Sequence, residues 1–148
     1  MQLTTEVNSY SLDDLMPHRP PMRWIDSITT WGEQGAGRAL AILDSAKSYY
    51  QNGQLCQTMF IELMAQAFGY LKAHDLIKNH QRIKRTYLAG VQTYQFHQNT
   101  LPAPGSHLII NVEPIHLVAP FIYIKGQIEH KDQLLCSAEF RCYAEIFE

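Results

Sequence analysis

Glu62 and Gln66 stand four residues apart in the run Met59 to Ile77, MFIELMAQAFGYLKAHDLI, which is otherwise almost wholly apolar. If the run is helical, that spacing stacks the carboxyl and the amide one turn apart on the same face. A helix apolar on nearly every side belongs in the interior of a fold. An ionised carboxylate placed there without partners costs on the order of several kcal/mol. Glu62 must therefore be hydrogen-bonded, shifted toward its acid form, or turned into a pocket that receives a polar ligand. The alternative is that Glu62 lies close enough to the helix start to meet solvent beside the positive end of the dipole. Buried ionisable groups concentrate at functional sites, so the chemistry to look for is proton transfer by Glu62, with Gln66 holding it. The histidines and carboxylates show no HxxxH or HxH spacing, which gives a metal site little support. Cys56, Cys136 and Cys142 lack paired metal-type spacing, and the last two read as small core residues of a reducing compartment.

The elements that must position these groups follow from turn and periodicity signals. Ser11 to Leu15 can cap and begin a short helix, which Pro17 to Pro21 stop, leaving PHRPP as a rigid bend that carries His18. Met22 to Thr30 and Gly37 to Leu43 read as two strands joined through the turn at Gly32 to Gly35. A polar stretch with Asn52-Gly53 as its turn signal leads straight into the apolar helix. Lys78, His80, Arg82, Lys84 and Arg85 favour the helix C-terminus and suggest a solvent-facing loop. Strands are expected at Tyr87 to His97, His107 to Val118, Phe121 to Glu129 and Leu134 to Phe147. The last alternates most cleanly, with Cys136, Ala138, Phe140, Cys142, Ala144 and Ile146 on one face. One long apolar helix with strands before and after it predicts a single α+β domain over residues 1–148, an antiparallel sheet curling around the helix.

With 148 residues and a formal charge of −2, the chain has no global attraction for nucleic acid or anionic membrane. Its polar, acidic start lacks a basic segment and an apolar core of the kind that directs export. The most apolar stretch is interrupted by Glu62, Gln66 and Lys72, and none reaches the roughly 20 apolar residues needed to cross a bilayer. The expectation is a soluble, cytoplasmic protein without a membrane span.

Two runs, LMPHRPPMRWID at Leu15 to Asp26 and IELMAQAFGYL at Ile61 to Leu71, resemble the bacterial 3-hydroxyacyl-[acyl-carrier-protein] dehydratases of the hot-dog fold. Their order and separation are similar too, and FHQNTLPAPG at Phe96 to Gly105 looks like that family's strand and Pro-Gly turn. Within the superfamily the pattern is most similar to the dehydratase-like proteins of aryl polyene biosynthesis. The resemblance covers nearly the whole chain. It implies a homodimer, or a heterodimer with another hot-dog subunit, whose interface tunnels admit an acyl-phosphopantetheine arm presented by an acyl carrier protein. No other cofactor is implied.

The family pairs a loop histidine with a Glu or Asp on the central helix. Glu62 matches the helix carboxylate. Counting back by the family's spacing reaches Ser48, and no histidine lies between His18 and His74. Dehydration needs an acid for the departing hydroxyl, a base for the α-proton and donors for the enolate-like oxygen. Glu62 is the candidate acid and Gln66 its orienter. His18 is the candidate base, or otherwise a loop histidine bonding local backbone. Gln57, Thr58 and Met59, at the helix entrance, are the candidate site for the thioester oxygen. Tyr49, Tyr50 and Tyr94 either shape a tunnel or fill a core. His97, His107 and His116 read as structural or surface residues. Lys78, Arg82, Lys84 and Arg85 are a candidate docking patch for the acidic carrier protein, with a merely solvated loop as the alternative. Three functions follow: an active dehydratase, a silent subunit paired with an active one, and a hot-dog acyl thioesterase using Glu62 without a histidine.

Overall fold

A computed structural model describes residues 23–147 of the chain. The expected helix at Ser11 to Leu15, the proline bend and His18 lie outside those residues. The apolar run forms helix α1 (Met59–Ile77), with Met59, Phe60, Leu63, Met64, Ala67, Phe68, Tyr70 and Leu71 all buried. Such all-round burial accounts for the absence of a polar stripe in the sequence.

The strands that surround it are β1 (Ser27–Trp31), β2 (Gly37–Ile42), β5 (Arg82–Phe96), β6 (His107–Val118), β7 (Phe121–His130) and β8 (Gln133–Phe147). They form a six-stranded sheet in the order β1-β2-β6-β7-β8-β5, and every pairing is antiparallel. A separate ribbon, β3 (Tyr50–Gln51) and β4 (Gln54–Leu55), turns at Asn52 and Gly53. Both turn residues have positive φ, which is why the Asn-Gly pair is there.

The face of the sheet toward α1 is apolar. Ile122, Ile124 and Ile128 of β7 and Cys136, Ala138, Phe140 and Cys142 of β8 are buried in alternation with their more exposed neighbours. Gly126 is a point of close approach between helix and sheet. A Cβ there would fall 2.6 Å from Met64 Sδ and 3.2 Å from Phe140. The missing side chain thus lets the turn of α1 between Glu62 and Gln66 settle onto the sheet.

Three expectations are corrected. The first strand is shorter than Met22 to Thr30, because pairing with β2 begins only at Ser27. Ile146 is 38% exposed rather than inward and buried; it pairs with Ile83 at the end of the sheet, where no described residue buries it. The basic segment after α1 is no loop beyond residue 81. Arg82 and Arg85 already pair with Phe147 and Glu145, and Lys84 and Arg85 reach the Glu145 carboxylate at 3.5 and 3.1 Å. Cross-strand charge pairing of this kind stabilises a strand whose own composition favours solvent.

Candidate functional site

Glu62 lies in the first turns of α1, on the side facing β5 and β8. Its carboxylate, Gln66, Ala65, Cys142 and the β5 residues Thr86, Tyr87 and Leu88 line a pocket of about 100 Å³. Burial raises the Glu62 carboxyl above the ordinary carboxylate range, and the Gln66 hydrogen bond offsets part of that rise. Gln66 Nε2 donates to Glu62 Oε1 at 3.3 Å. The other end of the same amide is also fixed, since the Trp24 backbone N–H donates to Gln66 Oε1 at 2.8 Å. That second bond sets which end of the Gln66 amide faces Glu62, leaving an N–H and not a carbonyl toward the carboxyl.

The inner wall is the Cys142 thiol, pushed up to about 12 by burial and, secondarily, by the negative charge of Glu62. At that value it is a neutral, weakly polar neighbour and not a nucleophile at neutral pH. Among the described residues no histidine, lysine or arginine lines the pocket. The described residues thus bring to the pocket one carboxyl group, held toward its acid form. The volume is also far below the roughly 300–1,000 Å³ of cavities that enclose a small ligand, so these residues are one wall of a site.

Gln66→Leu is expected to leave the Trp24 N–H unpaired and to destabilise the fold by about 1–3 kcal/mol, the usual cost of orphaning a buried donor. Chemical denaturation measures this directly, and an unchanged midpoint would show that the Trp24 to Gln66 bond does not hold the segment.

The remaining sequence-predicted residues divide. Gln57 and Thr58 are exposed and Met59 is buried at the helix entrance. The Met59 and Phe60 N–H groups already donate to the carbonyls of Cys56 and Gln57 at 3.1 and 3.2 Å. The tightened turn before α1 thus uses donors that were expected to be free for a thioester oxygen. The Cys56 thiol, exposed and 3.1 Å from the Thr58 hydroxyl, is lowered in pKa by that hydroxyl first and then by nearby backbone N–H groups.

Tyr49 and Tyr50 do not line the pocket. Tyr49 is buried, accepts from the Asp44 N–H at 3.0 Å and meets the Trp24 ring edge-on at 5.0 Å, while Tyr50 packs on Tyr49 at 5.6 Å. They are the core behind the Trp24 backbone bond, because an aromatic layer fits between the β3–β4 ribbon and the chain entering β1. Tyr94 also packs against the core and has its phenol raised by burial. His97 bonds the Ser137 hydroxyl at 2.9 Å on the surface, and His107 and His116 are exposed. Lys78, Arg82, Lys84 and Arg85 are all exposed, and Arg85 precedes the pocket-lining Thr86 and Tyr87 on β5.

Sequence reasoning missed Cys142, Thr86 and the Trp24 N–H as parts of the site. Alternation places Cys142 on the inner face, but only the register of β8 against β5, with Leu88 opposite Cys142, puts it beside Glu62. A buried His74 stacked on Trp31 at 3.6 Å was also not anticipated. Among the described residues no group of three or more His, Cys, Asp and Glu side chains is arranged to hold a metal ion, and no helix is long and apolar enough to cross a membrane.

A family model described as ApeP-like, ApeP dehydratase, matches residues 10–146. Among curated proteins, the 3-hydroxyacyl-[acyl-carrier-protein] dehydratase FabZ of Shewanella woodyi is 24% identical over 148 residues, covering 95% of each chain. FabZ of Vibrio vulnificus is 28% identical over 149 residues, covering 95% of this chain and 97% of its own. Among solved structures, the dehydratase heterocomplex ApeI:P from Xenorhabdus doucetiae superposes with a TM-score of 0.79 at 19% identity over 93% of each chain. The PaaI protein of E. coli, from a phenylacetic acid degradation operon, follows at 0.58 and 12% identity, covering 82% of this chain and 79% of its own.

Proposed function

The chain belongs to the ApeP-like dehydratase family and has the hot-dog fold, and from that premise we propose that it is one subunit of a two-subunit 3-hydroxyacyl-[acyl-carrier-protein] dehydratase in which Glu62 is the proton donor. The observation that supports this best is the Glu62 carboxyl itself, drawn toward its acid form by burial in a pocket lined, among the described residues, by no histidine, lysine or arginine.

In the proposed step a base on the second subunit removes the α-proton of the 3-hydroxyacyl thioester. The freed electron pair becomes the C2–C3 double bond as the C3–O bond breaks. Glu62 gives its proton to the departing oxygen, which leaves as water, and the products are the 2-enoyl thioester, a Glu62 carboxylate and a protonated base. Proton exchange with solvent resets both groups. Gln66, fixed by Trp24, holds Glu62 in place and donates to the carboxylate that remains after transfer.

The second subunit has a place to bind. Among the described residues β5 is an edge of the sheet, paired with β8 alone, and its residues Tyr87 and Val91 are 51% and 43% exposed. A long edge strand with apolar side chains invites pairing with another strand. A hot-dog partner along β5 would extend the shallow Glu62 pocket at the wall formed by Thr86, Tyr87 and Leu88. The partner's chemistry is open between a second copy and a different hot-dog subunit; the ApeI:P structure is a heterocomplex of the latter kind.

The test is enoyl product formation from 3-hydroxyacyl-acyl carrier protein, measured with the chain alone and with a candidate hot-dog partner subunit. Turnover that needs both subunits is expected. Absence of enoyl product in both arms would overturn the assignment. The absence of a histidine between His18 and His74 also favours a second reading, a silent subunit that supports an active partner; full turnover by a complex carrying Glu62→Ala would establish it. A thioesterase role would appear as free thiol released from acyl-CoA.

A further inference from the structure

On β8, Arg141 and Tyr143 alternate with the buried Phe140 and Cys142, so both project from the outer face of the sheet. Arg141 pairs in register with Gly90 of β5 and Tyr123 of β7, and Tyr143 with Tyr87 and Phe121. The Arg141 guanidinium lies against Gly90, where a Cβ would come within 3.2 Å of it, and over the Phe121 ring at 5.7 Å. Tyr87 stacks on Tyr143 at 4.9 Å, and Arg85 lies over the Tyr143 ring at 5.7 Å.

This arrangement holds a cation still without neutralising it. Among the described residues no carboxylate pairs with Arg141, and its Nε is buried without a hydrogen-bond partner. On this face Lys84 and Arg85 share Glu145, Lys125 stands in register with Glu139, and Arg141, against the aromatic rings, has no carboxylate paired to it among the described residues. Immobilising an arginine costs rotamer entropy, which contact with aromatic rings recovers only in part. A pre-ordered, unpaired arginine beside tyrosines has the composition of a binding hot spot.

We propose that this outer face of β5, β7 and β8, with Arg141 at its centre, is the docking surface for the acidic carrier protein that delivers the acyl thioester. This rests on the carrier-bound substrate of the preceding reading. Charge selects the occupant: a second copy would set Arg141 and Arg85 against their own counterparts, whereas an acidic surface complements them. Strand pairing along the β5 edge uses backbone groups in the plane of the sheet, so it leaves this face open. Tyr87 belongs both to the aromatic layer and to the wall of the Glu62 pocket, which sets the docked carrier next to the site its cargo must reach. The basic residues picked out by sequence are the margin of this surface, and its centre, Arg141, lies more than fifty residues further along the chain.

Two readouts on the assembled complex test the inference. Arg141→Ala is expected to raise KM for 3-hydroxyacyl-acyl carrier protein about tenfold, the loss of one charged anchor, with kcat retained. KM for the same acyl group on N-acetylcysteamine, which has no carrier surface, should not move. Gly90→Val, which fills the tray but keeps the charge, should weaken carrier binding in the same direction. Fluorescence anisotropy with labelled carrier protein gives Kd independently of turnover, so docking can be judged even if the dehydratase assignment fails. An unchanged Kd for Arg141→Ala, an equal KM rise with the small thioester, or no binding of carrier protein by the wild-type complex would each overturn the inference.

Discussion

Replacing Glu62 by Gln in the assembled complex should lower kcat by about a hundred- to ten-thousand-fold, the range ordinarily lost with a general acid, while the complex still forms. Gln keeps the shape and a donor for the leaving oxygen but has no proton to give away. Stability should move in the opposite direction. Burial holds the folded-state pKa of Glu62 above its unfolded value, so both states are protonated at low pH and the group then contributes no difference. As pH rises past the unfolded value the unfolded chain releases its proton first, and the wild type loses stability until the folded carboxyl also ionises. The advantage of Glu62→Gln in thermal unfolding should therefore grow with pH across that window and level off above it. A variant that kept full turnover, or whose stability relative to wild type did not change with pH, would remove Glu62 from the role assigned to it.

The largest stability effect is expected at Phe140. Its ring is fully buried against Gly126, beneath the Met64 turn of α1. Phe140→Ala should cost about 3–5 kcal/mol, because the lost transfer energy is joined by a cavity that two rigid elements cannot close. For a chain of this size that lowers Tm by about 6–20 °C. Activity should fall as well, since Met64 lies between Glu62 and Gln66 and the helix turn that carries them would lose its floor. Urea unfolding monitored by circular dichroism gives the energy, and a loss below about 1 kcal/mol would show that the site collapses freely.

How much of this was legible in the sequence depends on whether the information was local. Helix α1 was readable to its ends because an apolar run bounded by polar residues leaves little choice, and the inner face of β8 because alternation has a fixed period. The Glu62–Gln66 bond was readable because helix geometry fixes what lies four residues away. The start of β5 was not. Lys84 and Arg85 look like a loop until Glu145 is set opposite them, sixty residues on. The same non-local pairing hid Cys142 at the back of the Glu62 pocket and Arg141 on the outer face. Tyr49 and Tyr50 could have lined a tunnel or filled a core; only the packing on Trp24 decides for the core.

The family assignment and the local chemistry support each other at a single group. A dehydratase needs an acid for the departing hydroxyl, and burial of Glu62 raises its carboxyl above the ordinary range beside the Gln66 amide, the direction that the proposed role requires. The 13C NMR titration of the Glu62 carboxyl in the intact protein, with Glu62→Gln to assign the resonance, measures that condition most directly. The midpoint should lie above the ordinary carboxylate range and rise further in Gln66→Leu, where the bond that favours the ionised form is gone. A midpoint at the ordinary value, unmoved by Gln66→Leu, would contradict the account.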